Sequence, residues 1–169
     1  MADDQIEIGN LGAGDLEEIL AIERDSFTSP WSEELFAQEL VNPISMILVA
    51  RQNSNGRTAL AGYIVCWLVA DELHIQRIAV RSDLRKRGVA SLLLHEAIKY
   101  SAKAKLSKAT LEVRSSNVAA IKFYEKFGFS VNGIRNGYYS DPLDDALIMW
   151  ADLERRPNNE LPCSNLRGI

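Results

Sequence analysis

Three β-rich runs follow one another with almost nothing between them: SMILVARQ, TALAGYIVCWLV and ELHIQRIAV. The first gap, NSNGR, contains Asn55-Gly56, a strong signal for a tight hairpin, and the second is only Ala70-Asp71. Gaps this short cannot hold a crossover helix, so the runs are expected to form an antiparallel meander.

The segments on either side have a different period. IEI near the N-terminus reads as a short first strand, and GDLEEILAIERDSF after it places Leu16, Ile19, Leu20 and Glu23 at helical spacing. A second helix opens at Ser32, an N-cap with Glu33 and Glu34 in the first turn, and Pro30 and Trp31 link the two helices. After the meander, RSDLRKRG runs into VASLLLHEAIKYSAKAK, where Val89, Leu92, Leu93, Ala97 and Tyr100 mark one face. The strand KATLEVRS leads to Asn117, a cap for a helix that carries Ala120, Phe123, Tyr124 and Phe127 and stops at Gly128. Two last strands, near 129–139 and 144–153, surround the turn-rich SDPLDD. The expected order is βααβββαβαββ, an α/β fold with a mixed, mostly antiparallel sheet of about seven strands and about four helices.

Composition narrows the setting. The chain has 169 residues, 47% apolar and 25% charged, which suits one domain, expected over residues 5–153. The remaining ERRPNNELPCSNLRGI loses periodicity and is expected to be a flexible tail, 154–169. A net charge of −4 argues against direct nucleic-acid binding. No apolar stretch is long enough for a membrane span and the N-terminus has no leader pattern, so a cytoplasmic protein is expected. Cys66 and Cys163 show no pairing pattern, and His74 and His95 have no metal-ligand spacing, so no metal is expected.

Within this acidic chain, RKRGVA at 85–90 stands out as a basic loop entering a helix. Gly88 and the small Ala90 allow successive backbone N–H groups to approach an anion at the helix N-terminus, while Arg85, Lys86 and Arg87 add charge and Arg77 and Arg81 lie upstream. That is the composition of a phosphate cradle. It is equally the composition of a solvated basic run before a helix.

The order strand IAV, basic turn Arg-x-x-Gly-x-Ala, amphipathic helix, strand LEV, then Asn117 opening a helix with Tyr124, resembles the GNAT superfamily of acetyl-CoA-dependent N-acetyltransferases. SPWSEELF, LEVRSSNVAAIKFYEKFGF and NGYYSDPLDDALIM are similar to its bacterial branch that acetylates the N-terminal alanine of a ribosomal protein. The resemblance implies a single-domain GNAT fold and acetyl-CoA as co-substrate. It further implies that the backbone of Ile78, Ala79 and Val80 meets the pantetheine arm, that Lys86, Arg87, Gly88, Val89, Ala90 and Ser91 hold the pyrophosphate, and that Asn117 contacts coenzyme A. One departure is Arg81-Ser82, where many relatives have Asp-Pro.

Transfer from a thioester to an amine needs a neutral amine, a stabilised carbonyl oxygen and a proton for the departing thiolate. Strand alternation puts Thr110, Glu112 and Arg114 on one face of KATLEVRS. The resemblance makes Glu112 the base and Tyr124 the acid, with backbone amides at the end of the IAV strand as oxyanion donors. The structural alternatives are a Glu112–Arg114 ion pair and a Tyr124 packed as core beside Phe123 and Phe127. His74 competes for the base role, because other branches of the superfamily draw their base from that strand.

An α-amine, with pKa about 8, costs roughly 1 kcal/mol to neutralise at pH 7, against roughly 4.6 for a lysine. A single carboxylate therefore suits an N-terminal acceptor. The resemblance adds the N-terminal peptide of a ribosomal protein as partner, gripped by Pro30 and Trp31 and by Tyr138 and Tyr139. The alternatives are a hydrophobic staple for Trp31 and hairpin packing for the tyrosines. Acetylation of lysines or of a small amine, and a non-catalytic acyl-CoA sensor, are the competing functions.

Overall fold

The periodic segments of the sequence become strands and helices in the expected order in the computed structural model, which describes residues 5–54 and 56–154. These are β1 (Gln5–Asn10), α1 (Leu16–Ser26), α2 (Glu33–Val41), β2 (Ser45–Ser54), β3 (Arg57–Val69), β4 (Glu72–Val80), α3 (Val89–Lys103), β5 (Lys108–Arg114), α4 (Val118–Lys126), β6 (Ser130–Ser140) and β7 (Leu143–Asp152). Short 3-10 turns at Ala13–Asp15 and Ser82–Leu84 precede α1 and α3. The strands form a seven-stranded sheet in the order β1-β2-β3-β4-β5-β7-β6. β4 and β5 are parallel, whereas β1/β2, β2/β3, β5/β7 and β6/β7 are antiparallel. The expected mixed α/β architecture is therefore present. Asn55 and the expected tail from residue 155 onward, including Cys163, lie outside the described residues.

The elements group into two compact units. The first contains β1, α1, α2, β2, β3 to Trp67, β4 from Gln76, and α3 to Tyr100. Its core is Ile19 and Ile22 of α1, Phe36 of α2, Ile47 and Val49 of β2, Leu60, Tyr63 and Val65 of β3, and Ala79 of β4. Burying each large apolar side chain contributes about 1.5–3 kcal/mol, which is what holds the two helices onto the strands. Ser32 caps α2 as expected, its Oγ accepting from Leu35 N–H at 3.4 Å. Gly56 sits at φ 75° in the β2–β3 turn, a conformation that favours glycine.

Between Ala50 and Arg51 the β2–β3 register shifts, because Ala50 pairs with Gly62 and Arg51 with Leu60. The extra residue, Ala61, turns its carbonyl to Arg81 N–H at 2.8 Å. A Cβ on Gly62 would lie 2.6 Å from Ala79 O, so only glycine lets the end of β4 approach this closely. The Ser82–Leu84 turn forms without proline: Leu84 N–H bonds Arg81 O at 2.9 Å, and Arg81 pairs with Asp83. The buried face of α3 differs from the expected one. Val89, Leu93, Leu94, Ala97 and Ile98 are buried, while Tyr100, in the last turn of the helix, is half exposed.

The second unit contains Leu68–Ile75 and the chain from Ser101 onward. β4 pairs with β5 only from Glu72–Lys108 to Ile75–Leu111, while β5 continues along β7 to Arg114. Leu73, Ile75, Leu111, Val113, Tyr124, Phe127, Phe129 and Met149 are buried. Asn117 caps α4 by accepting Ala120 N–H at 3.1 Å, and Gly128, at φ 77°, ends it. Tyr124 O then receives both Phe127 N–H and Phe129 N–H, which turns the chain into β6.

Candidate active site

In the first unit the RKRG turn leads into α3 with Lys86 at φ 64° and Gly88 at φ 86°. The first turn closes with Leu92 N–H on Gly88 O at 3.0 Å, so the N–H groups of Val89, Ala90 and Ser91 belong to the helix end that has no intrahelical acceptor. This end, with the exposed Lys86 and Arg87, has the chemistry an anion requires. The neighbouring arginines do not serve it. Arg85 bonds Val80 O at 3.0 Å through Nε and reaches Asp25 and Ser26 through Nη2, Arg81 holds Asp83, Gln52 and Leu60 O, and Arg77 pairs with Glu23. Of the five basic side chains in this region, Arg77, Arg81 and Arg85 are held by protein partners, whereas Lys86 and Arg87 are exposed, and the Asp83 pKa is lowered first by the Arg81 hydrogen bond and further by the Arg87 charge.

The second unit carries both residues expected to handle protons. Glu112 lies on β5 opposite Ile148 of β7, and Ile148 in turn pairs with Gly133 of β6. Its carboxylate does not pair with Arg114. Arg135 on β6 takes it instead, Nε to Oε1 at 3.1 Å. Arg114 donates to Pro142 O at 2.9 Å and Asp141 O at 3.0 Å and stacks 4.0 Å above the Tyr139 ring.

A register shift between Arg135 and Tyr139 bulges Tyr138 out of the β6–β7 ladder, with Gly137 at φ 61° and its N–H on Asp145 Oδ1 at 2.7 Å. Such a bulge re-aims a side chain. Here it brings Tyr138 to Glu112: the carboxylate charge is the main cause that raises the Tyr138 pKa above its ordinary value, followed by burial and a hydrogen bond to Glu112. Tyr139 is raised too, first by burial and then by the same carboxylate. The two rings meet edge to face at 5.1 Å. Glu112, Arg135, Tyr138 and Tyr139 thus form one cluster.

Tyr124 is 6% exposed, with Phe123 at 5.2 Å and Phe129 at 5.6 Å between ring centroids. Its backbone and ring position are fixed by this packing. Asp144 fixes the nearby loop before α4. It accepts from Ser115 Oγ and Ser116 Oγ, both at 2.6 Å, and these bonds hold its pKa down to about 2. His74 has Glu72 Oε2 at 2.7 Å from its Nε2.

Pro30 is exposed and Trp31 half-buried in the α1–α2 link of the first unit. Trp31 packs edge to face on Phe36 at 5.5 Å, as a staple would, and its N–H donates to Glu23 at 2.8 Å.

The chain matches the Acetyltransferase (GNAT) family over residues 16–129. The chain belongs to the GNAT family. It is 35% identical over 144 residues to the Escherichia coli K12 [Ribosomal protein bS18]-alanine N-acetyltransferase, covering 84% of this chain and 94% of that relative. The crystal structure of the Escherichia coli ribosomal-protein-S18-alanine N-acetyltransferase superposes with a TM-score of 0.79 at 32% identity, over 92% of this chain and 99% of that one. The fold is also that of Arabidopsis thaliana NAA60, solved with acetyl-CoA, at TM-score 0.80 and 21% identity over 89% and 99% of the two chains.

This GNAT protein is accordingly an N-acetyltransferase. Among its described residues no helix is long and apolar enough to cross a membrane. Sequence reasoning missed two side chains that shape the clusters above. Arg135 gave no signal, since its pairing with Glu112 depends on the β6–β7 register. Glu23 did give one, a carboxylate at an apolar position of α1, and it is 0% exposed.

Proposed function

We propose that this GNAT N-acetyltransferase transfers the acetyl group of acetyl-CoA directly to the α-amine of a protein N-terminus, and that the acceptor is the N-terminal alanine of ribosomal protein bS18. The observation that carries the chemistry is the Glu112 carboxylate of β5, paired with Arg135 and grouped with Tyr138 and Tyr139 of β6. The relatives named for bS18 support the acceptor.

In this reading the cradle formed by Lys86, Arg87, Gly88, Val89, Ala90 and Ser91 takes the pyrophosphate, a role that the positive φ values and the open helix end support. Ile78, Ala79 and Val80 meet the pantetheine arm through their backbone, and Asn117, whose Oδ1 caps α4, offers its side-chain amide to coenzyme A. Pro30 and Trp31, and separately Tyr138 and Tyr139, contact the first residues of the peptide. The amine nitrogen attacks the thioester carbonyl carbon, the C–N bond forms and the C–S bond breaks. Glu112 accepts the proton leaving the amine, directly or through water, and the Tyr124 hydroxyl gives one to the departing thiolate. Backbone N–H groups at the end of β4 stabilise the developing oxyanion.

Glu112 is preferred to His74 as the base because its carboxylate is grouped with the tyrosines assigned to the peptide, whereas His74 Nε2 is engaged with Glu72. The test is incubation of the protein and acetyl-CoA with unacetylated small-subunit ribosomal proteins, followed by intact-mass analysis. One acetyl group on the bS18 N-terminus is the expected product. Unmodified bS18 beside another acetylated protein would replace the acceptor.

A further inference from the structure

The α1–α2 link, residues 27–31, is tied to a charged anchor. Glu23 projects from α1 into the apolar core of the first unit and is fully buried, yet its carboxylate bonds that link and the strands β3 and β4. Oε1 accepts Trp31 N–H at 2.8 Å and Arg77 Nε at 2.9 Å, while Oε2 takes the Tyr63 hydroxyl of β3. Arg77, from β4, completes the device. Its Nη2 reaches Ser29 O at 2.7 Å, and its guanidinium plane lies 3.9 Å from the Phe27 ring centroid and 5.1 Å from that of Trp31. The link thus has a backbone N–H, a backbone carbonyl and two aromatic rings fixed by one ion pair.

A buried ion pair of this kind is a poor way to gain stability, since desolvating both charges cancels most of their attraction. Its geometry nevertheless defines a single loop conformation, because Arg presents several donors in a rigid fork that a flexible side chain cannot reproduce. A loop held in one shape loses less freedom when a ligand binds it.

We propose that Glu23 and Arg77 are positioning residues for acceptor recognition: the pair holds Pro30 and Trp31 in the conformation that receives the peptide. This rests on the reading that Pro30 and Trp31 contact the acceptor. The pair acts on peptide affinity and takes no proton in the reaction.

The test compares Glu23→Gln, which keeps the size of the buried group, and Arg77→Lys, which keeps the charge, with Trp31→Ala. Each is assayed for hydrogen exchange over residues 27–31 and for KM and kcat with an N-terminal-alanine peptide. Losing a charge-assisted bond at the loop should raise peptide KM about tenfold in both anchor variants, with kcat changed less than about twofold, and should speed exchange of the Trp31 amide. Arg77→Lys keeps the outcome readable if Glu23→Gln fails to fold. Unchanged exchange and KM in the folded anchor variants, with KM raised by Trp31→Ala, would overturn the proposal while leaving the peptide role of the link intact. Unchanged KM in Trp31→Ala would instead remove the peptide reading on which the proposal depends, and the proposal with it.

Discussion

Glu112 and Arg135 are ion-paired at 3.1 Å across β5 and β6, and the same carboxylate raises the Tyr138 pKa. Glu112→Gln keeps the shape of this cluster and removes the proton acceptor. Transfer to an α-amine should fall about 100-fold near neutral pH, the usual scale of general-base catalysis. An α-amine has pKa about 8, so the deficit should shrink as pH rises past that value and the acceptor arrives already neutral. Rates measured from acid to alkaline pH check this. A wild-type profile would move the base to His74 or to solvent.

Tyr124 is buried and ring-packed, so Tyr124→Phe should leave the fold unchanged while removing one hydroxyl. A general acid contributes about 100-fold or more, and the loss should appear in kcat with acetyl-CoA affinity almost unaltered. Stopped-flow turnover alongside calorimetry separates the two. Wild-type turnover would return Tyr124 to a purely structural role.

At φ 86°, Gly88 cannot take a side chain without strain of about 1–3 kcal/mol. Gly88→Ala should therefore distort the turn before α3 and raise the acetyl-CoA dissociation constant, and Gly88→Trp should obstruct it further. Calorimetry reads both. Unchanged affinity in the tryptophan variant would place the pyrophosphate elsewhere.

Asp144 contributes stability through bonds made by its ionised form, and its pKa is lowered from 3.8 to about 2 in the fold. That contribution is present above 3.8 and lost as pH falls toward about 2. Asp144→Asn should therefore be less stable than the wild type at neutral pH, with the gap closing between these two values. Urea denaturation at several pH values measures it, and a gap that persists at the lowest pH would assign the effect to packing.

The sequence discloses most of the fold because its signals are local. Ser32 and Asn117 cap where their side chains predict, Gly56 and Gly128 have positive φ at the expected turns, and the strand runs alternate or stay apolar as their burial demands. The pairings between distant segments are less legible. Glu112 two residues from Arg114 suggested a same-face ion pair, but the β6–β7 register supplies Arg135, and Arg114 bonds the Asp141 and Pro142 carbonyls. The basic run likewise suggested more charge around an anion than the fold leaves there, because Arg77, Arg81 and Arg85 each find internal partners. Glu23 was visible as a carboxylate on an apolar helical face, yet its partners Tyr63 and Arg77 lie 40 and 54 residues away.

Transfer to an α-amine is tested most directly by mass spectrometry of two peptides incubated with the protein and acetyl-CoA, one with a free N-terminal alanine and no lysine, the other N-terminally blocked with an internal lysine. A single acetyl group on the first peptide and none on the second is the expected result. Acetylation of the blocked peptide alone would contradict it and make a lysine side chain the acceptor.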